Sequence, residues 1–202
     1  MSAHCCEPQV TTTAIPPGYR RALWIALVVN LAMFAAEIAA GLQAGSVSLL
    51  ADAIDFFGDA ANYGLSLAVL SLATAWRARA ALVKAASMFG FGVFVLARAG
   101  WSASQGITPE PLVMGAVGTL ALLANVGVAV LLYAFRDGDA NMRSVWLCTR
   151  NDAIGNMAVL VAALGVFGTG TAWPDLAVAA VMGALAISAA WAVMRQARRE
   201  LA

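Results

Sequence analysis

Six apolar stretches separated by short polar turns dominate the chain. At the roughly 20 residues a helix needs to cross about 30 Å of hydrocarbon, they predict spans over 22–42, 47–75, 82–101, 112–135, 140–167 and 175–194. The turns are punctuated as helix breaks should be. Residues 43–46 are short and uncharged, 102–111 include Thr108-Pro-Glu-Pro111, and 168–174 end in Pro174. The most charged loop, 136–143, offers Asp139 as the N-cap of the fifth helix, which is therefore expected to start near Ala140.

Two of the six stretches break the apolar pattern in the same way. In the second, Ser48, Asp52, Asp55, Asp59, Asn62, Tyr63 and Ser66 fall within an arc of roughly 100° at the helical period, and the rest of the surface is apolar. Each Asp at mid-depth would cost about 2.5–3.5 kcal/mol against lipid, so the stripe must face protein, an ion or protons. In the fifth, Asn141, Ser144, Cys148, Asn151, Asp152, Gly155 and Asn156 share a face of roughly 140°.

Composition turns this pattern into a fold class. The 202 residues are 62% hydrophobic and 11% charged, against about 25% charged in soluble domains, and the mean hydropathy is +0.81. The expectation is an all-α membrane protein of six transmembrane helices. It divides into an N-terminal tail (1–21), a membrane domain (22–196) and a short C-terminal tail (197–202). Lys and Arg flank one side (Arg20, Arg21, Arg77, Arg79, Lys84, Arg136, Arg143, Arg195, Arg198, Arg199) and are missing from the turns on the other. Both termini are therefore expected in the cytosol, in the cytoplasmic membrane. A net charge of +1 leaves no nucleic-acid footprint, and three cysteines make no disulfide framework. The first twenty residues hold no apolar core of a signal peptide.

Within the two stripes, Asp55 and Asp59 are four residues apart, as are Cys148 and Asp152. Residues at that spacing stack on one helix face. Two such pairs on facing helices supply three carboxylates and a thiolate, a donor set suited to a four-coordinate divalent ion, Zn²⁺ first, with sulfur drawing in Cd²⁺ and other soft ions. A start near Ala140 would place Cys148 and Asp152 about 12–20 Å along their helix, level with the acidic pair. No nucleophile–base pair or open metal position suggests an enzyme, and no permanent cofactor is implied.

Other polar residues take supporting roles. Asp52 is expected to orient the site rather than ligate, and Glu37, Asn62, Asn151 and Asn156 line the same pathway. Asn30, Asn125 and Asn62 read as hydrogen-bonding glue between helices. Glu37 and Arg98 are candidates for an ion pair, and Arg150 points away from Cys148 and Asp152. Gly90, Gly92, Gly115 and Gly118 would let helices approach closely, within one protomer or in a homodimer. His4, Cys5 and Cys6 form a soft-ligand cluster suited to metal capture.

These residues carry a resemblance. Asn30, Glu37, Gly41, Gly45-Ser46, Ser48-Leu-Leu-Ala-Asp52-Ala, Asp55 and Asp59, with Asp152-Ala-Ile-Gly155-Asn156, resemble the cation diffusion facilitator family of divalent-metal/proton antiporters. The similarity runs from about Ala22 to Arg195. It implies efflux of Zn²⁺, or of Cd²⁺ or Co²⁺, with metal ions and protons as partners and the metal as substrate. Two departures stand out: Asp55 and Cys148 occupy positions where relatives often carry His, and the family's common C-terminal cytosolic domain is expected to be missing. The rival reading is a membrane metal-binding or sensing module that does not transport and uses the His4-Cys5-Cys6 cluster.

Overall fold

A computed structural model of the chain describes residues 18–68, 74–137 and 140–201. They form six helices: α1 (Tyr19–Ala44), α2 (Val47–Ala68), α3 (Thr74–Gln105), α4 (Pro111–Tyr133), α5 (Ala140–Thr169) and α6 (Trp173–Leu201). The expected all-helical membrane architecture is present. Four helices are long and apolar enough to cross a bilayer by composition alone. Helix α2 escapes that criterion because every 18-residue window in it contains Asp52, Asp55 and Asp59, and α3 carries Arg98 inside its apolar stretch. Leu112, Val130, Leu164, Phe167 and Trp173 are each 70–72% exposed, an outer surface that only lipid would cover favourably.

Two boundaries differ from expectation. Residues 76–79 do not close the second span. They lie in the first turns of α3, which starts at Thr74, eight residues before the expected position. Ala, Arg, Leu and Lys are strong helix formers, so the helix continues past the apolar limit into the polar zone. The same effect carries α6 through Arg195 and Arg198 to Leu201. The fifth helix does start at Ala140, whereas Asp139, its expected cap, lies outside the described residues.

The α1–α2 turn is made by glycine. Gly45 has φ +67°, a left-handed conformation that costs other residues strain, and the Ser46 amide returns to the Gly41 carbonyl at 3.0 Å. Pro111 starts α4, where a missing amide proton costs nothing.

Helices α1, α2, α5 and α4 close a ring in which each packs on the next, and α4 returns to α1. Helices α3 and α6 form a tight pair laid against α2 and α5. Helix α2 is the most enclosed: 16 of its 22 residues are buried, against six of the 23 in α4. Small residues set the approach of the outer pair. A Cβ built on Gly92 would lie 2.7 Å from Ile187 and 3.3 Å from the Gly183 carbonyl, and one on Gly183 would lie 3.1 Å from Leu96. Gly118 similarly faces Leu160 at 3.2 Å, whereas Gly90 and Gly115 have nothing within 4 Å. Of the four glycines expected at helix contacts, Gly92 and Gly118 sit at one within the chain.

Gly92→Leu should therefore push α3 from α6 and lower stability by about 1–3 kcal/mol, the usual range for overpacking. Gly90→Leu, facing open space, should be close to neutral. Thermal unfolding in detergent, followed by size-exclusion chromatography, separates the two.

Candidate metal site between α2 and α5

The acidic helix is pinned at its start. Val47 and Ser48 open α2, and their amides donate to the Asp175 carboxylate of α6 at 2.8 and 3.0 Å. The hydroxyls of Ser46 and Ser48 donate to the same carboxylate, each at 2.7 Å. An anion at a helix N-terminus meets both unpaired amides and the positive end of the helix dipole, so Asp175 is fully buried yet well partnered. Asp175 belongs to no motif recognised in the sequence. The only signal was complementary: Ser46-Val-Ser48 at a helix start with no acidic residue in that first turn, and an Asp opening α6.

Deeper in the bundle, Asp52 Oδ2 accepts from Asn156 Nδ2 of α5 at 2.6 Å, and Asn156 Oδ1 accepts from Asn125 Nδ2 of α4 at 2.9 Å. Three helices are thus joined through one buried amide. Next along α2, Asp55 Oδ2 lies 4.0 Å from the position a Cβ would take on Gly155. One turn on, Tyr63 Oη donates to Asp59 Oδ2 at 2.9 Å and lies 2.6 Å from Thr149 Oγ1 of α5.

These ties run in opposite directions along the two helices: 52 to 156, 55 to 155, 63 to 149. Helices α2 and α5 are therefore antiparallel, in a register that sets Asp55 and Asp59 near the level of Asp152, and Cys148 near that of Tyr63. All four side chains are only 4–8% exposed. Both Asp59 and Asp152 lie within electrostatic range of the Tyr63 hydroxyl. Among the described residues, however, no three His, Cys, Asp or Glu side chains converge closely enough to hold one metal ion. Of the four, Asp59 has one oxygen, Oδ2, turned to a protein partner, the Tyr63 hydroxyl.

The surrounding residues divide. Glu37 is fully buried, with Asp52 and Asp55 as its electrostatic neighbours. The expected pair with Arg98 is not formed: neither Glu37 oxygen nor Arg98 Nε has a hydrogen-bond partner among the described residues, and the ion pair seen there is Arg136–Asp137 at 3.2 Å. Glu37 is instead drawn into the acidic group on α2. Asn125 joins helices as expected, but Asn30 donates to Ala26 O of its own helix at 2.8 Å. A polar side chain can return to the preceding turn when no partner faces it. Asn62 is buried on the stripe, while Asn151 accepts from exposed Arg150 at 3.3 Å, at the edge of the face. Arg150 stacks over Trp146, 5.4 Å from the ring centroid. Thr149, which the face analysis passed over, is fully buried beside Cys148. His4, Cys5 and Cys6 lie outside the described residues.

The profile of the cation efflux transmembrane domain matches residues 23–202. The chain is 24% identical to the metal cation efflux system protein CzcD of Cupriavidus metallidurans over 192 residues, 89% of this chain and 61% of that protein. It is 28% identical to the zinc transporter ZitB of Pectobacterium atrosepticum over 203 residues, 91% and 62% respectively. For ZitB of Escherichia coli the identity is 26% over 200 residues, 90% and 62%. The chain thus spans about three-fifths of the length of these relatives.

Asp175→Ala would strip the Val47 and Ser48 amides of their buried acceptor. Each such orphan costs about 1–3 kcal/mol, so a marked loss of thermal stability in detergent is expected. Asp175→Asn keeps one acceptor oxygen and should lose less.

Proposed function

Because the chain belongs to the cation efflux family, the cation diffusion facilitators, we propose that it moves a divalent metal cation, zinc first, out of the cytosol in exchange for protons. Asp55 and Asp59 of α2 and Cys148 and Asp152 of α5 are the ligands in this reading. The observation that supports it is the antiparallel contact of α2 with α5, two helices of the closed ring on whose adjoining faces these four buried side chains are carried. Carboxylates and a thiol bind metal in their deprotonated forms, so metal arriving at this set displaces protons, and protons returning from the far side release it. Three oxygens and one sulfur favour Zn²⁺ or Cd²⁺ over Mg²⁺ or Mn²⁺.

The neighbours fit supporting roles. Asp52, held by Asn156, braces the helix next to the ligands, as outer partners of metal ligands do. Placing the basic helix ends in the cytosol puts both termini there and gives the site two faces, one towards Tyr63 and the other towards Asp52. The His4-Cys5-Cys6 cluster is assigned capture of metal for this site. If the cluster were the sole receptor of a module that does not transport, deleting residues 1–10 would abolish binding. A transporter keeps its saturated uptake after that deletion.

Uptake of zinc and cadmium into everted vesicles is the direct test. Asp59→Ala and Asp152→Ala should abolish it, and Asn156→Ala should weaken metal affinity by about tenfold, the lower end for loss of an outer partner. Wild-type uptake by either Asp variant contradicts the site. Cys148→Ser should shift preference away from cadmium relative to zinc.

A further inference from the structure

Four residues beyond Asp59, towards the basic end of the bundle, Tyr63 does two things at once. Its ring is 1% exposed and belongs to an apolar plug with Leu23 of α1, Val128 and Leu132 of α4, and Val145 of α5. Its hydroxyl reaches Asp59 on its own helix and Thr149 on α5, at 2.9 and 2.6 Å. Thr149 Oγ1 is in turn within 3.1 Å of the Val145 carbonyl. A buried phenol needs such partners, and no apolar residue of that size would make them.

We propose that Tyr63 is the gate on the basic side of the metal site. The ring fills the path between α1, α4 and α5. The hydroxyl locks it there by bridging α2 to α5, and it occupies the Asp59 oxygen that the metal would take. Metal taking that oxygen must break the Tyr63–Asp59 bond, so ligand formation removes one of the two hydrogen-bond partners that hold the ring in the path. Phe34, Phe57 and Phe91 pack on one another and against other parts of the core, not in this plug. The role rests on the transport reading for its consequence but not for its geometry.

Cys148, buried beside Thr149, supplies a probe that does not depend on transport. In a Cys5→Ser/Cys6→Ser background it is the remaining cysteine of the three. Everted vesicles are treated from the basic side with a small charged methanethiosulfonate reagent, which reaches buried Cys148, at the level of the Tyr63–Thr149 tie, when the plug around it opens. Tyr63→Phe keeps the ring and removes the lock, so the labelling rate should rise about three- to tenfold, the shift expected for one lost buried hydrogen bond. Thr149→Val removes the α5 half of the lock and should raise it in the same direction. The double variant should rise by less than the product of the two, since they share a bond. Unchanged or slower labelling in Tyr63→Phe overturns the gate, as does strict multiplicativity of the two effects. In uptake assays Tyr63→Phe should lower the KM for zinc, because Asp59 is released for the ion, whereas general loosening of the fold would raise it. If no variant, nor the parent, takes up metal, the transport reading falls while the labelling result still decides the gate.

Discussion

A carboxylate in a hydrocarbon layer has to be met by protein, and α2 carries three within eight residues. Each would cost a few kcal/mol against lipid, so the remaining helices are arranged to enclose this one. That is why α2 is buried around nearly its whole circumference while α1 and α4 present a broad face outward. It also explains the chemistry of its neighbours. Where α2 offers an acid, a polar group or a glycine meets it: Asn156 meets Asp52 and Gly155 lies beside Asp55, while Asp59 accepts from Tyr63 of its own helix, whose hydroxyl also contacts Thr149 of α5.

The same need fixes how the α3–α6 pair attaches. Its close packing through Gly92 and Gly183 is apolar and makes no demand on the ring. The specific link is Asp175, whose carboxylate collects two amides and two hydroxyls at the start of α2. Hydrogen bonds to a charged group contribute about 1.5–3 kcal/mol each, so this is a strong and directional joint. It sets the axial position of α2 against α6, and through Asn156 and Asn125 the register passes on to α5 and α4.

Much of this was legible in the sequence because it follows from periodicity. The six helices follow from the length of the apolar stretches, the start of α5 from the polar loop before it, and the acidic face of α2 and the matching face of α5 from counting at 3.6 residues per turn. Pairings between distant residues do not. Asp175 finds Ser46 and Ser48 across 127–129 positions, and nothing local distinguishes it from any Asp in the first turn of a helix. Thr149 falls about 20° outside the polar arc of α5 at the helical period, just beyond Asn156, so the arc alone does not single it out. The Glu37–Arg98 pairing failed for the opposite reason. Matching charges on α1 and α3 were paired on depth alone, yet α2 stands between them and offers Glu37 acids instead.

The placing of the cross-helix ties bears on how the half-sites could meet. On α2 the Asp52–Asn156 and Tyr63–Thr149 ties bracket Asp55 and Asp59, whereas on α5 Thr149 lies between Cys148 and Asp152, and neither tie uses an oxygen of Asp55 or Asp152. Helices α2 and α5 are therefore held in register by groups other than these two carboxylates. A rotation about the side-chain bonds of Asp55 or Asp152 leaves both ties intact. Zinc needs its ligands at about 2.0–2.3 Å, a demand that short side chains on two close, level helices meet by changing rotamer rather than by sliding a helix. Asp59 is the exception, since its oxygen is committed to one of the two ties. Drawing it onto a metal would break the Tyr63–Asp59 bond within α2, while the Tyr63–Thr149 contact to α5 remains. The Asp52–Asn156 tie and the Asp175 clamp stay in place. An ion bound between these helices would thus disturb the hydrogen bonds at one end of the bundle and leave those at the other unchanged, an asymmetry that arises from which hydrogen bonds share an atom with Asp59.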